Sequence, residues 1–362
     1  MIQGPLSRLK DVQNDFLEFI DSDNEKLIGN LVDQKIYENR QELRAFLHIL
    51  FNISNNHYRN HNFFQKIFQI LVILKNDIIN FFSNDEIFNI FKDNKRILLF
   101  LIEEKIITIT KSISLKMIEN EYYLKKYPHY FFQEIKTFIN NDKIINKIKE
   151  ELPEDYETQY ENLRSIGENE NYICQLIRND DVVQFIKYIN QNNYSLNSQI
   201  NNSIFETNSF LSDKKPTFIE YSAFYGSIQI YKFLIMNQVQ MTDSLCFYAI
   251  HGLNPELFHM IEENNEIKIS YEKCLMESIM CHHNDFAKYF IDNFIQDINE
   301  KIFKQSLKYY NMAFIEETFI NESILFELCK YDWVIFVDKI LENNDIDINM
   351  KKILTNLYSF LI

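Results

Sequence analysis

The sequence predicts an all-α fold, with a helical N-terminal region followed by an array of short helix–turn–helix units. Three observations carry that expectation. Apolar residues recur at helical spacing along nearly the whole chain. Glycine and proline number only five each in 362 residues, too few for the many tight turns of an all-β protein. Beyond residue 171 the chain repeats itself, a small or apolar anchor being followed about eight residues on by a bulky apolar one. With 46% hydrophobic and 25% charged residues, the chain can bury a core.

Residues 1–165 read as the helical N-terminal region. Phe16, Leu17, Phe19 and Ile20 form a first apolar face, and Leu27, Ile28, Leu31 and Val32 a second. Leu43, Phe46, Leu47 and Leu50 form a third; Phe63, Phe64, Ile67, Phe68 and Leu71 form a fourth. Ser83-Asn84-Asp85-Glu86 has the form of a capping box, in which serine and glutamate satisfy the first free amides reciprocally. It predicts the start of the helix that carries Ile87, Phe88 and Phe91. Pro128 interrupts a Tyr/Phe-rich stretch before the helical pattern resumes from Phe131 to Ile148. Leu152-Pro153-Glu154-Asp155 and the polar residues up to Asn171 mark a boundary.

Residues 166–349 carry the repeat. Ile177 is followed by Phe185, Ala249 by Leu257, Ser278 by Phe286, Ser306 by Phe314 and Leu328 by Phe336. Ala223 is followed by Ile230, seven on. A further apolar residue tends to lie twelve from the anchor, at Ile189, Ile235, Ile261, Phe290 and Ile340. A polar turn such as Asn254-Pro255-Glu256 or His283-Asn284-Asp285 separates anchor from partner. Each unit is therefore a pair of short antiparallel helices, and one pair cannot bury its apolar face without a neighbour. Anchor spacings run 46, 26, 29, 28 and 22 residues. The first contains an Asn/Ser-rich insert, Gln191 to Ser212, expected as a long surface loop. Residues 350–362 are expected to form a terminal capping helix.

The stretch Thr217-Phe218-Ile219-Glu220-Tyr221-Ser222-Ala223-Phe224-Tyr225-Gly226 resembles the ankyrin TPLHxAAxxG signature. Thr217, Ala223 and Gly226 match it, while Phe218 and Glu220 replace its proline and histidine. Leu328 to Leu341, followed by Asp345-Ile346-Asp347-Ile348-Asn349, resembles a second unit. With Tyr248-Ala249-Ile250-His251-Gly252, Cys281-His282-His283-Asn284-Asp285 and Asn94–Lys105, these segments resemble a large family of protist ankyrin-repeat proteins of unknown function. The resemblance implies a degenerate ankyrin-like solenoid that starts at residue 166, or from about 85 if Asn94–Lys105 is the second helix of a unit. It also implies protein–protein interaction through a concave face, as an adaptor or scaffold. The positions flanking each anchor would point there: Tyr221, Tyr225, Phe247, His251, Met280, Lys308 and Lys330. Tyrosine and phenylalanine suit that role because they offer area at little rotamer cost. The same aromatics would serve equally to complete packing between adjacent units.

No catalytic site, cofactor or metal is expected. The five glycines lie more than twenty residues apart, which excludes a Walker A loop and a dinucleotide fingerprint. No nucleophile elbow is present. His57 and His61 stand four apart, as zinc ligands on a helix can, but without the protease glutamate and in an Asn-rich turn expected to be solvated. Cys274, Cys281, His282 and His283 are ligand types at a spacing of seven, wider than a zinc knuckle, and are expected in the core. The odd number of widely spaced cysteines, five, reads as buried thiols in a reducing compartment. No apolar segment precedes Asp11 as a signal peptide would require, and Ile97–Ile102 is the longest apolar run, so an intracellular, cytoplasmic protein is expected. Net charge is −15 overall, but residues 1–150 carry 21 basic and 20 acidic side chains, net +1. The acidic remainder disfavours nucleic acid there. The alternative reading is nucleic-acid association through the basic aromatic stretch at 122–130, within a region (92–149) of net +5. Spacing of its aromatics at i, i+3 and i+4 favours a helix core instead.

Overall fold

The computed structural model describes residues 4–21, 36–60, 62–119, 122, 124–152, 156–212, 214–264, 267–295 and 299–341. Among these residues the protein is all-helical, apart from a single antiparallel bridge between Gln199 and Thr217. The first five helices are α1 Pro5–Asp21, α2 Arg40–Asn56, α3 Phe63–Ile73, α4 Lys75–Phe81 and α5 Asn84–Phe91. Next come α6 Lys95–Glu103, α7 Lys111–Ile118, α8 Tyr127–Tyr130, α9 Phe132–Ile135, α10 Asp142–Glu151 and α11 Tyr156–Ile166. The repeat region contributes α12 Tyr172–Arg178, α13 Val182–Gln191, α14 Ser209–Ser212, α15 Phe218–Tyr225, α16 Ile228–Met236, α17 Leu245–His251 and α18 Pro255–Glu262. The last are α19 Tyr271–Met280, α20 Asn284–Phe290, α21 Glu300–Tyr309, α22 Leu325–Lys330 and α23 Val334–Leu341. The expected faces at Leu27–Val32 and the capping helix at 350–362 lie outside the described residues, as does the segment Asp345–Asn349.

The chain divides into two compact units. One comprises residues 91–270; the other joins the two ends, residues up to 90 and from 271 onward. This division falls elsewhere than the sequence boundary at 165/166. In the 91–270 unit, α12, α15 and α17 pack on one another in succession, and α13, α16 and α18 each return against their own partner. In the other unit, α19, α21 and α22 follow one another, α20 pairs with α19 and α23 with α22. There α23 also packs on α2, and α1 packs on α2, α3 and the 3-10 turn Met312–Phe314.

One turn geometry recurs at the anchors. The amides of Asp181, Ser227, His283, Asn311 and Trp333 donate back to the carbonyls of Leu176, Ser222, Ser278, Ser306 and Leu328, at 2.8–3.0 Å. The residue before each amide is left-handed: Asp180, Gly226, His282, Tyr310 and Asp332, with φ between 50° and 66°. This is the Schellman closure, which satisfies the last carbonyls of a helix. It also corrects the anchor register. In the first two units the anchor is Leu176 and Ser222, not Ile177 and Ala223, so Ile230 lies eight on from Ser222 and Phe185 nine on from Leu176. Ser222, Ser278 and Ser306 then occupy equivalent positions. Each is fully buried, and each hydroxyl donates to the carbonyl four residues back, at 2.7–2.9 Å. That bond is how a buried serine is tolerated inside a helix. The unit anchored at Ser306 departs from the pattern, because two 3-10 turns, Met312–Phe314 and Glu317–Phe319, stand where a second helix was expected.

The capping signals act as read. Ser83 and Glu86 form their reciprocal pair, the Ser83 amide donating to the carboxylate at 2.9 Å and the Glu86 amide to the Ser83 hydroxyl at 3.3 Å. Thr217 and Glu220 form a second such box at the start of α15. Glu220 also accepts hydroxyl bonds from Thr242 and Ser244, at 2.7 and 2.8 Å, and so ties α15 to the start of α17.

Candidate partner-binding face

The seven residues expected at a binding face are divided between the two units. Tyr221, Tyr225, Phe247 and His251 belong to residues 91–270; Met280, Lys308 and Lys330 belong to the other unit. Lys308 and Lys330 are exposed, and Met280, Tyr225 and Phe247 are half-buried. Lys308 borders a shallow groove of about 500 Å³ along α21, with Lys301, Lys304 and Tyr331. Tyr221 and His251 are buried, at 1% and 2% exposure, so neither presents a surface to solvent.

What covers them is the insert. Its first residues, Gln191–Ser195, are exposed as a surface loop would be. From Ser203 to Leu211 it turns inward: Phe205 is fully buried, and Glu206, Thr207, Asn208 and Leu211 are nearly so. The expectation of a surface loop over the whole of Gln191–Ser212 is therefore corrected. Phe205, Phe210 and Leu211 provide apolar area, and the polar residues beside them find partners. That combination permits burial of an irregular segment.

The segment is held at three points. Lys95, itself buried at the start of α6, donates from Nζ to the carbonyls of Ile204 and Glu206, at 3.3 and 3.5 Å. The Thr207 amide and hydroxyl both donate to the Gly167 carbonyl, at 3.2 and 2.7 Å. Gly167 has φ 67°, and a Cβ there would come within 3.1–3.3 Å of the Thr207 side chain, so glycine lets the two backbones approach. Phe210, on the single turn α14, then enters an aromatic pocket. Its ring stacks on Phe224 (5.8 Å between centroids), meets Tyr248 edge-on (4.9 Å) and lies 3.9 Å from His251. Lys214 Nζ sits 3.1 Å above its centroid.

Between these points lies a buried polar cluster. Arg178, at the end of α12, donates from Nη1 to the Tyr221 hydroxyl (2.9 Å) and the Asn169 carbonyl (3.0 Å), and its Nε is 2.9 Å from Glu168. Burial works against its charge, but Tyr221, Tyr225 and Glu168 outweigh that and keep it protonated. The Tyr221 and Tyr225 rings meet at a tilt one helical turn apart; burial, then Tyr225 and Glu206 for Tyr221, and burial, then Glu206 and Glu168 for Tyr225, lift both hydroxyls well above the usual phenol range. The Glu206 carboxylate accepts the amides of Asn208 (2.7 Å) and Asn169 (3.3 Å). Burial pushes the neighbouring Cys174 thiol up to about 12, so it is inert as a nucleophile at neutral pH. The cluster is thus fit for holding polar chain, and it lacks an activated nucleophile. Sequence reasoning passed over Arg178, Glu206 and Phe210. The signal available was an insert whose polar run is broken by Phe205 and by Phe210-Leu211.

The described aromatic rings of the basic stretch are core. Tyr122, Tyr127 and Tyr130 are buried, and Lys95 lies 5.6 and 5.5 Å over the last two rings. Lys125 pairs with Asp93 at 3.2 Å and Lys126 with Glu151 at 2.6 Å. Burial, reinforced by Lys126, holds His129 down at about 4. The remaining ring, Tyr123, lies outside the described residues.

His57 is buried rather than solvated as expected, and His61 lies outside the described residues. His57 meets the His283 ring edge-on at 4.9 Å, and its Nδ1 lies 2.9 Å from the Cys281 carbonyl. Buried His282 places Nε2 3.4 Å from the Tyr310 carbonyl. Among the described residues no group of His, Cys, Asp and Glu side chains could hold a metal ion. None of the five cysteines is in a disulfide, and all five are buried. No helix among the described residues is long and apolar enough to cross a membrane. No family model, curated protein or solved structure matches the chain.

Proposed function

We propose that this chain is a helical-repeat scaffold that recognises protein partners and carries out no catalysis. The observation that supports the reading is the recurrent helix–turn–helix unit. Five anchors share one Schellman closure, and within each compact unit successive first helices pack on one another, as an ankyrin-like solenoid would require. Such arrays bury a continuous core and leave side chains flanking the anchors for recognition. Here the accessible ones are Tyr225, Phe247, Met280, Lys308 and Lys330. Buried thiols outside any disulfide suit a reducing compartment inside the cell.

The test is quantitative capture from cell lysate with the full chain as bait, beside two variants: Tyr225→Ala with Phe247→Ala, and Lys308→Glu with Lys330→Glu. A small set of proteins held by the parent chain should fall at least tenfold with one variant, whose melting temperature stays within a few degrees. A captured set that neither variant changes sinks the assignment of these positions. A bait that retains nothing above an unrelated helical protein sinks the scaffold reading itself.

A further inference from the structure

The face built by α12, α15 and α17 is already occupied by a piece of the same chain that the repeat does not require. The spacing between the first two anchors is 46 residues against 22–29 elsewhere, and the excess is the insert. Its base is fixed: the Ile200 amide donates to the Pro216 carbonyl at 2.8 Å and the Phe218 amide to Ser198 at 3.2 Å. Between those bonds, residues 201–208 run without helix or strand, and α14 is a single turn. Its contacts are those of a bound peptide. Two carbonyls accept from Lys95, a carboxylate accepts the Asn169 amide close to Tyr221 and Tyr225, and four residues later a ring fills the Phe224–Tyr248–His251 pocket. Between that base and the buried stretch, Asn201-Asn202 at one end and Lys214-Lys215 at the other are exposed, so the segment can leave the face without unwinding α13 or α15.

We propose that residues 201–212 are an internal ligand that shields this face, and that the face accepts in trans a protein segment of the same chemistry. That segment is extended, with a carboxylate followed four residues later by an aromatic ring. The proposal rests on the scaffold reading and names its partner class. The tether favours the internal copy, because a linked segment acts at about millimolar effective concentration. A partner must match that or meet a chain whose own segment is weakened.

The test uses the full chain and a fluorescent peptide of residues 199–212. In the parent chain the peptide should bind at least tenfold more weakly than in the double variant Glu206→Gln, Phe210→Ala, whose own segment has lost two anchors. The double variant should in turn bind the native peptide at least tenfold tighter than a peptide carrying the same two changes. A double variant of parental helicity that does not discriminate the two peptides overturns the proposal. Hydrogen exchange on the parent chain gives a readout that needs no variant. The Thr207 and Leu211 amides should exchange at least tenfold faster than the interior amides of α15, by an opening of their own. Exchange of both sets at one rate means the segment is plain core and overturns the proposal. The scaffold reading survives that result, because its capture experiment also probes Lys308 and Lys330, which are exposed and belong to the other unit.

Discussion

His282 illustrates how much one side chain can set. It is a turn residue with φ 58°, a conformation in which histidine and asparagine are over-represented, so the polar turn of the repeat was legible at this position. Its burial was legible only as the general expectation that Cys281 and its neighbours lie in the core. The approach of His57, 225 residues away in sequence, was not, because an imidazole within an Asn-rich turn gives no periodic signal. Burial, then the nearby His57, hold His282 down at about 3, against 6.5 for a free imidazole. The neutral form is thus the one that folds. Its contribution is complete above pH 6.5 and is lost as pH falls through the window from 6.5 towards 3. Between pH 7 and pH 5 the loss from this group alone is about 2 kcal/mol. Trp333 is the sole tryptophan and stacks on Tyr310 at 4.0 Å in the same unit, so its emission reports the transition. The midpoint in urea at pH 5 should lie clearly below that at pH 7, and His282→Asn, compatible with the left-handed turn, should flatten that dependence. An unchanged slope in a folded His282→Asn protein would assign the acid sensitivity to other groups.

At the scale of elements, the signals written into consecutive residues translated directly. Thr217 and Glu220 cap α15, Asn254 caps α18 through the Leu257 amide at 3.0 Å, and each polar turn separates a helix pair. Anchor register was legible only to within one residue, because Ser222 and Ala223 are both small and both fully buried, and only the bond from the Ser227 amide to the Ser222 carbonyl fixes which one is equivalent to Ser278 and Ser306. How closely two helices meet was not legible at all. Gly252 has an ordinary helical backbone, so its glycine is not needed for conformation. It is needed for space: a Cβ there would lie 2.5 Å from the Ala223 carbonyl and 2.9 Å from that of Phe224. Both are backbone atoms of α15 and cannot swing aside. Gly252→Ala must push α17 away from α15, at about 1–3 kcal/mol by the usual range for overpacking. Thermal unfolding of the variant should show a melting temperature lower by several degrees. A melting temperature equal to the parent's would mean that α15 and α17 do not meet as closely as their carbonyls indicate.

At the scale of the whole chain, the least legible fact is which parts fold together. Composition and the polar stretch before Asn171 set residues 1–165 apart from the repeats, yet the structure joins the first ninety residues to the last repeats. The links are pairings between residues nearly three hundred positions apart, and a single sequence carries no period for them. Gln13, fully buried on α1, donates to the Tyr310 carbonyl and accepts the Met312 amide, both at 2.7 Å. Arg44 and His48 on α2 both reach Asp332 at 2.7 Å, and with burial working against it they hold that carboxylate below its usual range. His48 also stacks on Tyr310 at 4.8 Å, on the side chain that carries the Trp333 stack. Among the described residues the repeats after 271 are thus sealed by the start of the chain, since α23 packs on α2 and the irregular unit at Ser306 packs on α1. An array end left open exposes core apolar surface. A chain beginning at residue 91 should accordingly lose the cooperative Trp333 transition and show red-shifted emission at low denaturant, while far-ultraviolet helicity from residues 91–270 persists. Within the full chain, Gln13→Leu removes the acceptor of the buried Met312 amide and leaves the Tyr310 carbonyl with only the longer His282 contact. A loss of about 1–3 kcal/mol for the unsatisfied amide should appear in the same transition. Native-like Trp333 emission from the chain beginning at residue 91 would show instead that the terminal repeats hold their core unaided.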